Sequence, residues 1–204
     1  LFLPSDSEMY TSNDVSLEYD FSDWFNILEG QKRPGHFLGV VTIVHKLFNL
    51  VNPDKAYFGE KDYQQLRIIK LFVKTYNLAV QIISCPIVRN SKGLALSSRN
   101  KNLTINEEKV ALNLVHSLRK LKEGVTQFKQ KHSNAILKSD DLVRLKDLAI
   151  KNIIDNPLIK LDYFEIIELE NFRFIDYISS NKNYRALIAV YIGKTRLIDN
   201  ISIN

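Results

Sequence analysis

Cysteine is nearly absent. Cys85 is the single one in 204 residues, so no disulfide can form within the chain. Set between Ile82-Ile83-Ser84 and Pro86-Ile87-Val88, it reads as a buried, unreactive thiol, and a reducing, cytoplasmic setting suits such a chain. Long apolar runs are also missing, which leaves no candidate transmembrane helix, and no secretory-signal pattern stands at the start. Methionine occurs once, at Met9. The chain opens Leu1-Phe2-Leu3-Pro4 as though at the end of a buried strand, so an upstream segment is expected. Charge of one sign is only mildly in excess: 28 Lys and Arg against 23 Asp and Glu give a net charge of +5 and a pI near 9.1. That balance suits an anionic small molecule as well as a nucleic acid and decides neither. Hydrophobic residues (45%) and charged residues (25%) are present in ordinary amounts, enough for a real core in one domain or two modest ones.

The chain is organised around Ala56-Tyr57-Phe58-Gly59-Glu60-Lys61-Asp62-Tyr63-Gln64-Gln65. Three apolar residues precede a glycine and a charged triplet, and then Leu66, Ile69, Phe72, Val73 and Tyr76 recur at helical spacing. The pattern predicts a buried strand, a tight turn and the start of an amphipathic helix. Free backbone N–H groups and the positive end of the helix dipole make such a turn a natural phosphate site. Gly59 permits close approach of the backbone and Lys61 brings a mobile positive charge. Asp62 has two chemical uses here, holding a cation or hydrogen-bonding a sugar hydroxyl, and Gln65 suits a small polar substrate. A capping box between Asp62 and Gln65 explains the same pair without any ligand.

Around this centre, Pro4 to Glu18 reads as an irregular segment. Trp24-Phe25 and Ile27-Leu28 form a helical turn, and Gln31 to Phe37 a basic turn. A helix is predicted from about Gly39 to Val51, with Val40, Ile43, Val44, Leu47, Phe48 and Val51 as one stripe, ended by Asn52-Pro53. Val80 to Ile83 is a short strand and Pro86 to Arg89 a second extended piece. Strand, helix, strand, helix, strand is the order of a parallel α/β sheet, whose ligands lie at the C-terminal ends of its strands. After the turn Asn90 to Gly93, Thr104 and Glu107 form a capping box for a helix to about Leu121, closed by Gly124. Leu142 to Ile154 is amphipathic, Leu161 to Ile167 a strand, and Arg185 to Ile192 with Thr195 to Ile198 a hairpin over Gly193-Lys194. The second half is thus α+β.

Ser97-Ser98-Arg99 places two hydroxyls and a guanidinium fork within three residues, a set able to grip phosphate oxygens; by itself a polar turn explains it better. His36, beside Arg33-Pro34-Gly35, orients a carboxylate or stabilises its turn. His45, His116 and His132 fall in or beside helical patterns without an obvious partner, and none has metal-ligand spacing, so no metal site is expected. Asp140-Asp141 reads as an N-cap rather than a catalytic pair. The lysine-rich run from Arg119 to Lys138 has one aromatic, Phe128, and reads as a solvated helix face rather than a nucleic-acid patch.

Arg33-Pro34-Gly35-His36-Phe37, Lys46-Leu47-Phe48-Asn49, FGEKDYQQL, LALSSRN and Arg196-Leu197-Ile198-Asp199-Asn200 together resemble the pantothenate synthetase (pantoate–β-alanine ligase) family, over nearly the whole chain. The resemblance implies a Rossmann-like nucleotidyltransferase fold whose remaining part is residues 1–87, followed by a smaller α+β C-terminal lid domain at 88–204. It implies adenylation of pantoate by ATP with release of pyrophosphate, then attack by β-alanine to give pantothenate and AMP. By family pattern Gly59, Glu60, Lys61 and Asp62 contact ATP, as do Val88, Leu96, Ser97, Ser98 and Arg99. Gln65 binds pantoate. Lys61, Arg99, Ser97 and Ser98 are read as carrying the catalysis, with Arg33 and His36 as candidate pocket-lining residues. Mg²⁺ with the triphosphate, a homodimer and a cytoplasmic location are further implications; no nucleic-acid or membrane partner is expected. The family's N-terminal His-x-Gly-His-type motif and second pantoate-binding glutamine have no counterpart here. The chain is therefore expected to be the C-terminal part of such an enzyme, weakly active alone. The competing readings are another adenylyltransferase with the same two loops, a non-catalytic interaction module, and a nucleic-acid binder.

Overall fold

The computed structural model describes residues 2–10, 19, 21–131, 136–179 and 181–203. It divides into two compact units, Leu1–Cys85 and Pro86–Asn204, the second being the longer in this chain.

In the first unit the chain start is not a strand. Phe2 and Leu3 are 55% and 83% exposed in irregular backbone. No strand among the described residues offers Phe2 and Leu3 a ladder, so nothing holds them extended; Leu1 lies outside the described residues. The segment expected to be irregular holds a short helix, α1 (Asp6–Met9), fixed by a capping box. There the Glu8 N–H donates to Ser5 Oγ at 3.3 Å and the Ser5 N–H to Glu8 Oε2 at 2.7 Å. Residues 11–18 of that segment are outside the description. Short helices α2 (Ser22–Phe25) and α3 (Glu29–Lys32) lead to α4 (His36–Val51). Helix α4 begins three residues earlier than its periodicity predicts. Its buried seam is Phe37, Val41 and Val44, while Val51 is 54% exposed. Packing of Phe37 and Val41 in an apolar cluster with Tyr19, Phe21, Ile68 and Phe72 favours that seam over the stripe the sequence offers. Asn52, left-handed at φ 46°, ends the helix before Pro53 as expected.

Strand β1 (Lys55–Gly59), helix α5 (Tyr63–Thr75) and strand β2 (Gln81–Cys85) form a parallel unit, in register from Lys55 opposite Gln81 to Gly59 opposite Cys85. A parallel pair needs a crossover, and α5 supplies it, burying Leu66, Ile68, Ile69 and Phe72. Cys85, expected to be buried, is only partly so, because it sits on the last rung of the ladder.

The second unit is an antiparallel sheet with two helices packed on it. Its strands are β3 (Ile159–Glu168), β4 (Arg173–Phe174), β5 (Tyr184–Ile192) and β6 (Thr195–Ser202), in the order β4-β3-β5-β6. The β5–β6 hairpin turns at Gly193-Lys194. Helices α6 (Ile105–Lys131) and α7 (Ser139–Ile154) pack on the sheet. Leu114, Leu118, Leu121 and Val125 meet Ile153, Ile166, Ile188 and Val190 in one core.

The capping box at the start of α6 forms. The Thr104 N–H donates to Glu107 Oε2 at 2.8 Å and the Glu107 N–H to Thr104 Oγ1 at 3.2 Å. The backbone and then the side-chain bond from Thr104 hold the Glu107 carboxyl below its usual range. Gly124 does not close α6, which continues to Lys131. A Cβ at Gly124 would lie 2.8 Å from Leu145 Cδ2. The glycine is thus a point of close approach between α6 and α7, and tertiary packing overrides its poor helix propensity. Asp140 and Asp141 occupy the first turn of α7, whose N-cap is Lys138; they complement the helix dipole rather than cap the end. Pro86 to Arg89 forms no strand; only Arg89 pairs, in an isolated bridge with Ala95. His116 is exposed on α6, and His132 lies outside the described residues. No described helix is long and apolar enough to cross a membrane.

Candidate nucleotide-binding site

In β1 exposed Lys55, Tyr57 and Gly59 alternate with partly buried Ala56 and Phe58, as a half-covered strand should. At its C-terminal end a 3₁₀ turn, Glu60–Asp62, passes directly into α5. Gly59 has φ −72° and ψ 135°, a conformation open to any residue. What it gives is space, since nothing lies within 4 Å of where a Cβ would stand. Lys61 is half-buried and Asp62 exposed. The capping box proposed for Asp62 and Gln65 does not form. Asp62 sits at φ −91°, ψ 62°, outside the extended conformation a capping side chain needs, and makes no cap hydrogen bond. The ligand-free explanation of that pair is therefore removed.

The two adjacent glutamines have separate fates. Gln64 is 2% exposed. Its Nε2 donates to the carbonyls of Trp24 (2.7 Å) and Ile27 (2.9 Å), and its Oε1 accepts the Glu29 N–H at 3.0 Å. It ties α5 to the α2–α3 segment. Gln65 is half-buried on the neighbouring face. Arg33 Nη1 donates to His36 Nε2 at 2.7 Å beside the start of α4. His45, expected to lack a partner, shares a 2.7 Å hydrogen bond through Nδ1 with Tyr19 Oη. Burial lowers its pKa, while burial and then the nearby Tyr76 raise that of Tyr19.

In the second unit, Val88 and Leu96 are 65% and 50% exposed. They are joined by the Leu96 N–H donating to the Val88 carbonyl at 2.9 Å. Ser97 caps a 3₁₀ turn, Ser98–Asn102, its Oγ accepting the Arg99 N–H at 3.2 Å. Exposed Arg99 donates from Nη1 to the Arg196 carbonyl at 3.3 Å. Asn90 Oδ1 accepts the N–H groups of Lys92 and Leu94, and Asn100 Nδ2 donates to the Ala95 carbonyl. Beneath them Arg89 forks onto Asp199, Nη1 to Oδ2 at 2.6 Å and Nη2 to Oδ1 at 2.8 Å. Asp199 is 3% exposed.

The structure thus gathers Gly59, Glu60, Lys61, Asp62 and Gln65 around one strand-to-helix turn of the first unit. It gathers Val88, Leu96, Ser97, Ser98 and Arg99 in one loop of the second. Gln64, Arg89, Asp199 and Asn100 shape these segments, and the residue pattern alone assigns Gln64, Arg89 and Asp199 no role. The only signal was that Gln64, Asn100 and Asp199 stand in the matched motifs. Among the described residues no group of three His, Cys, Asp or Glu could hold a metal ion.

The parallel unit and the separate antiparallel-sheet unit match a nucleotidyltransferase-like fold with a C-terminal domain. The family profile for pantoate–beta-alanine ligase matches residues 1–202. The pantothenate synthetase of Fervidobacterium nodosum is 43% identical over all of this chain and 68% of its own length. That of Clostridium botulinum (strain Kyoto / Type A2) is 42% identical over 99% of this chain and 67% of its own. The crystal structure of pantothenate synthetase from Thermus thermophilus superposes with a TM-score of 0.84 at 32% identity, covering 98% of this chain and 68% of that one. The Francisella tularensis pantoate–beta-alanine ligase, complexed with beta-gamma ATP and beta-alanine, matches with a TM-score of 0.61 at 33% identity, over 94% of this chain and 59% of that one. The chain belongs to the pantoate–beta-alanine ligase family, whose reaction forms a carbon–nitrogen bond.

Proposed function

We propose that the turn at Gly59–Asp62 and the loop carrying Val88 and Leu96–Arg99 bind ATP, and that Gln65 binds pantoate, for a two-step synthesis of pantothenate. A pantoate carboxylate oxygen attacks the α-phosphorus of ATP, and the bond to the β-phosphate breaks with loss of pyrophosphate. The β-alanine amine then attacks the acyl carbon; the amide forms, AMP leaves and the amine gives up a proton. In the first step negative charge builds on the phosphates. Lys61 and Arg99 neutralise it, Ser97 and Ser98 orient the phosphate oxygens, and the α5 N-terminus adds its backbone donors. Arg33 and His36 line the pantoate side. Residues 1–87 are the nucleotide-binding part and residues 88–204 the lid.

Magnesium fits this chain as part of the MgATP substrate, because phosphates and water supply most of its oxygen ligands and the exposed Asp62 carboxylate is at hand. The ion lowers the charge barrier to carboxylate attack. The likeness to a ligase complexed with beta-gamma ATP and beta-alanine supports a small-molecule site. A homodimer and a cytoplasmic location complete the proposal.

The observation that carries the reading is the uncapped strand-to-helix turn with Lys61 and Asp62 beside open space at Gly59. The test is ATP–pyrophosphate exchange by the full-length gene product. Exchange should require pantoate, and other small carboxylic acids should not replace it. Equal exchange with unrelated acids would assign the site to a different adenylyltransferase.

A further inference from the structure

The serine–arginine loop has no regular strand to fix it, and its shape traces back to one buried carboxylate. Asp199, on β6, is 3% exposed. Both of its oxygens receive the Arg89 guanidinium, and Oδ1 also accepts the Asn200 N–H at 2.7 Å. The same guanidinium donates from Nη1 to the Gly93 carbonyl at 3.1 Å and reaches the Asn200 carbonyl from Nη2 at 3.5 Å. Arg89 therefore spans β6 and the turn at Gly93. From there the loop is knitted in sequence. Arg89 bridges Ala95, the Leu96 N–H bonds to Val88, and the Ala95 carbonyl receives Asn100 from the far side of Ser97-Ser98-Arg99. Buried Leu94 and Ala95 seat the middle of the loop. A bidentate arginine–carboxylate pair fixes direction as well as distance. A charged acceptor held this deep cannot turn to water as a substitute partner.

We infer that Asp199 and Arg89 are positioning residues for the reaction: their ion pair sets Ser97, Ser98 and Arg99 in the geometry that receives the ATP phosphates. Neither residue touches ATP in this account. Misplacing a binding group by about 1 Å costs on the order of 100-fold in rate. Because the loop is the ATP side of the proposed site, the pair acts on nucleotide use and not on the binding of pantoate. This inference rests on the proposed ATP role of the loop, and its test separates the two.

The experiment uses the full-length enzyme with Arg89→Gln/Asp199→Asn, which removes both charges while keeping a polar side chain at each position. Arg89→Lys accompanies it as the milder variant that keeps the charge and loses the fork. Amide hydrogen exchange is read for residues 88–102, with α6 and β5 as internal references, alongside KM for ATP and for pantoate. The expected result is faster exchange confined to 88–102, KM for ATP raised about tenfold or more, and KM for pantoate within about twofold. Arg89→Lys should give smaller changes in the same direction. Unchanged exchange at 88–102 in Arg89→Lys and in the double variant would overturn the positioning role and leave the ATP reading intact. Faster loop exchange with unaltered ATP kinetics would overturn both, since the loop would then be no part of the nucleotide site. Should the double variant fail to fold, Arg89→Lys alone decides by the same two readouts.

Discussion

The turn at Gly59–Asp62 and the loop at Asn90–Asn102 each bring a cationic side chain, Lys61 and Arg99, among polar neighbours, but they are held by different means. The first takes its shape from backbone. A parallel rung ends at Gly59, a 3₁₀ turn follows, and α5 continues with no side-chain cap from Asp62. The second takes its shape from side chains: Asn90, Asn100 and Ser97 fold it locally, and Arg89 fastens it to Asp199. A segment made by secondary structure is announced by neighbouring residues. One made by long-range polar contacts is not. It should follow that single side chains matter to the first turn chiefly for chemistry and to the second for geometry.

The sharpest way to break that contrast is at Lys61. Lys61→Ala in the full-length enzyme should lower kcat/KM for pantoate-dependent exchange by about 10²–10³-fold, the usual loss when one charge-stabilising group is removed. The thermal midpoint should stay within a degree or two of the parent, and a large drop would show that Lys61 holds the turn together. Next comes Gln64, a buried side chain near the first turn whose role is structural. Gln64→Ala strands two carbonyls and an N–H, and urea unfolding should show a loss of about 3 kcal/mol. Gly30→Ala should cost about 2 kcal/mol by overpacking, because a Cβ there would overlap the backbone carbonyl of Phe25.

The smallest effect expected is a pH dependence at His45. Burial lowers its pKa, so below the unfolded value of about 6.5 the unfolded chain binds more protons than the folded one. Stability should therefore fall as pH drops from above that value toward the folded pKa, and level off below it. Comparing urea midpoints of the parent and His45→Gln at about pH 8 and about pH 5 should show a shallower slope in the variant.

Much of the architecture could be read from local pattern. The β1–α5–β2 unit, the helix ending at Asn52 and the β5–β6 hairpin all lie near their expected bounds, because periodicity and turn residues act over a few positions. Several features that local pattern missed or misread arise from contacts made at long range. Gly124 looked like a helix end until Leu145 explained it as a close approach. Gln64 drew no reading of its own, because its partners lie 35 to 40 residues earlier. The Arg89–Asp199 fork spans 110 residues. In the candidate site, residue types and order made the first turn legible. The serine–arginine loop gained a role only beside it, since its supports are scattered through the chain.

Strand β5, Tyr184–Ile192, is buried along almost its whole length and lies between β3 and β6. With no charge after Arg185 and high β-propensity, YRALIAVYI is the sort of segment that joins other chains when its edge is bare. Strand β6 is thus a guard as well as a partner. A chain cut short at Lys194 would shed one hairpin arm and leave a sticky ribbon, and insoluble protein, rather than a slightly weakened monomer, is what such a cut should yield.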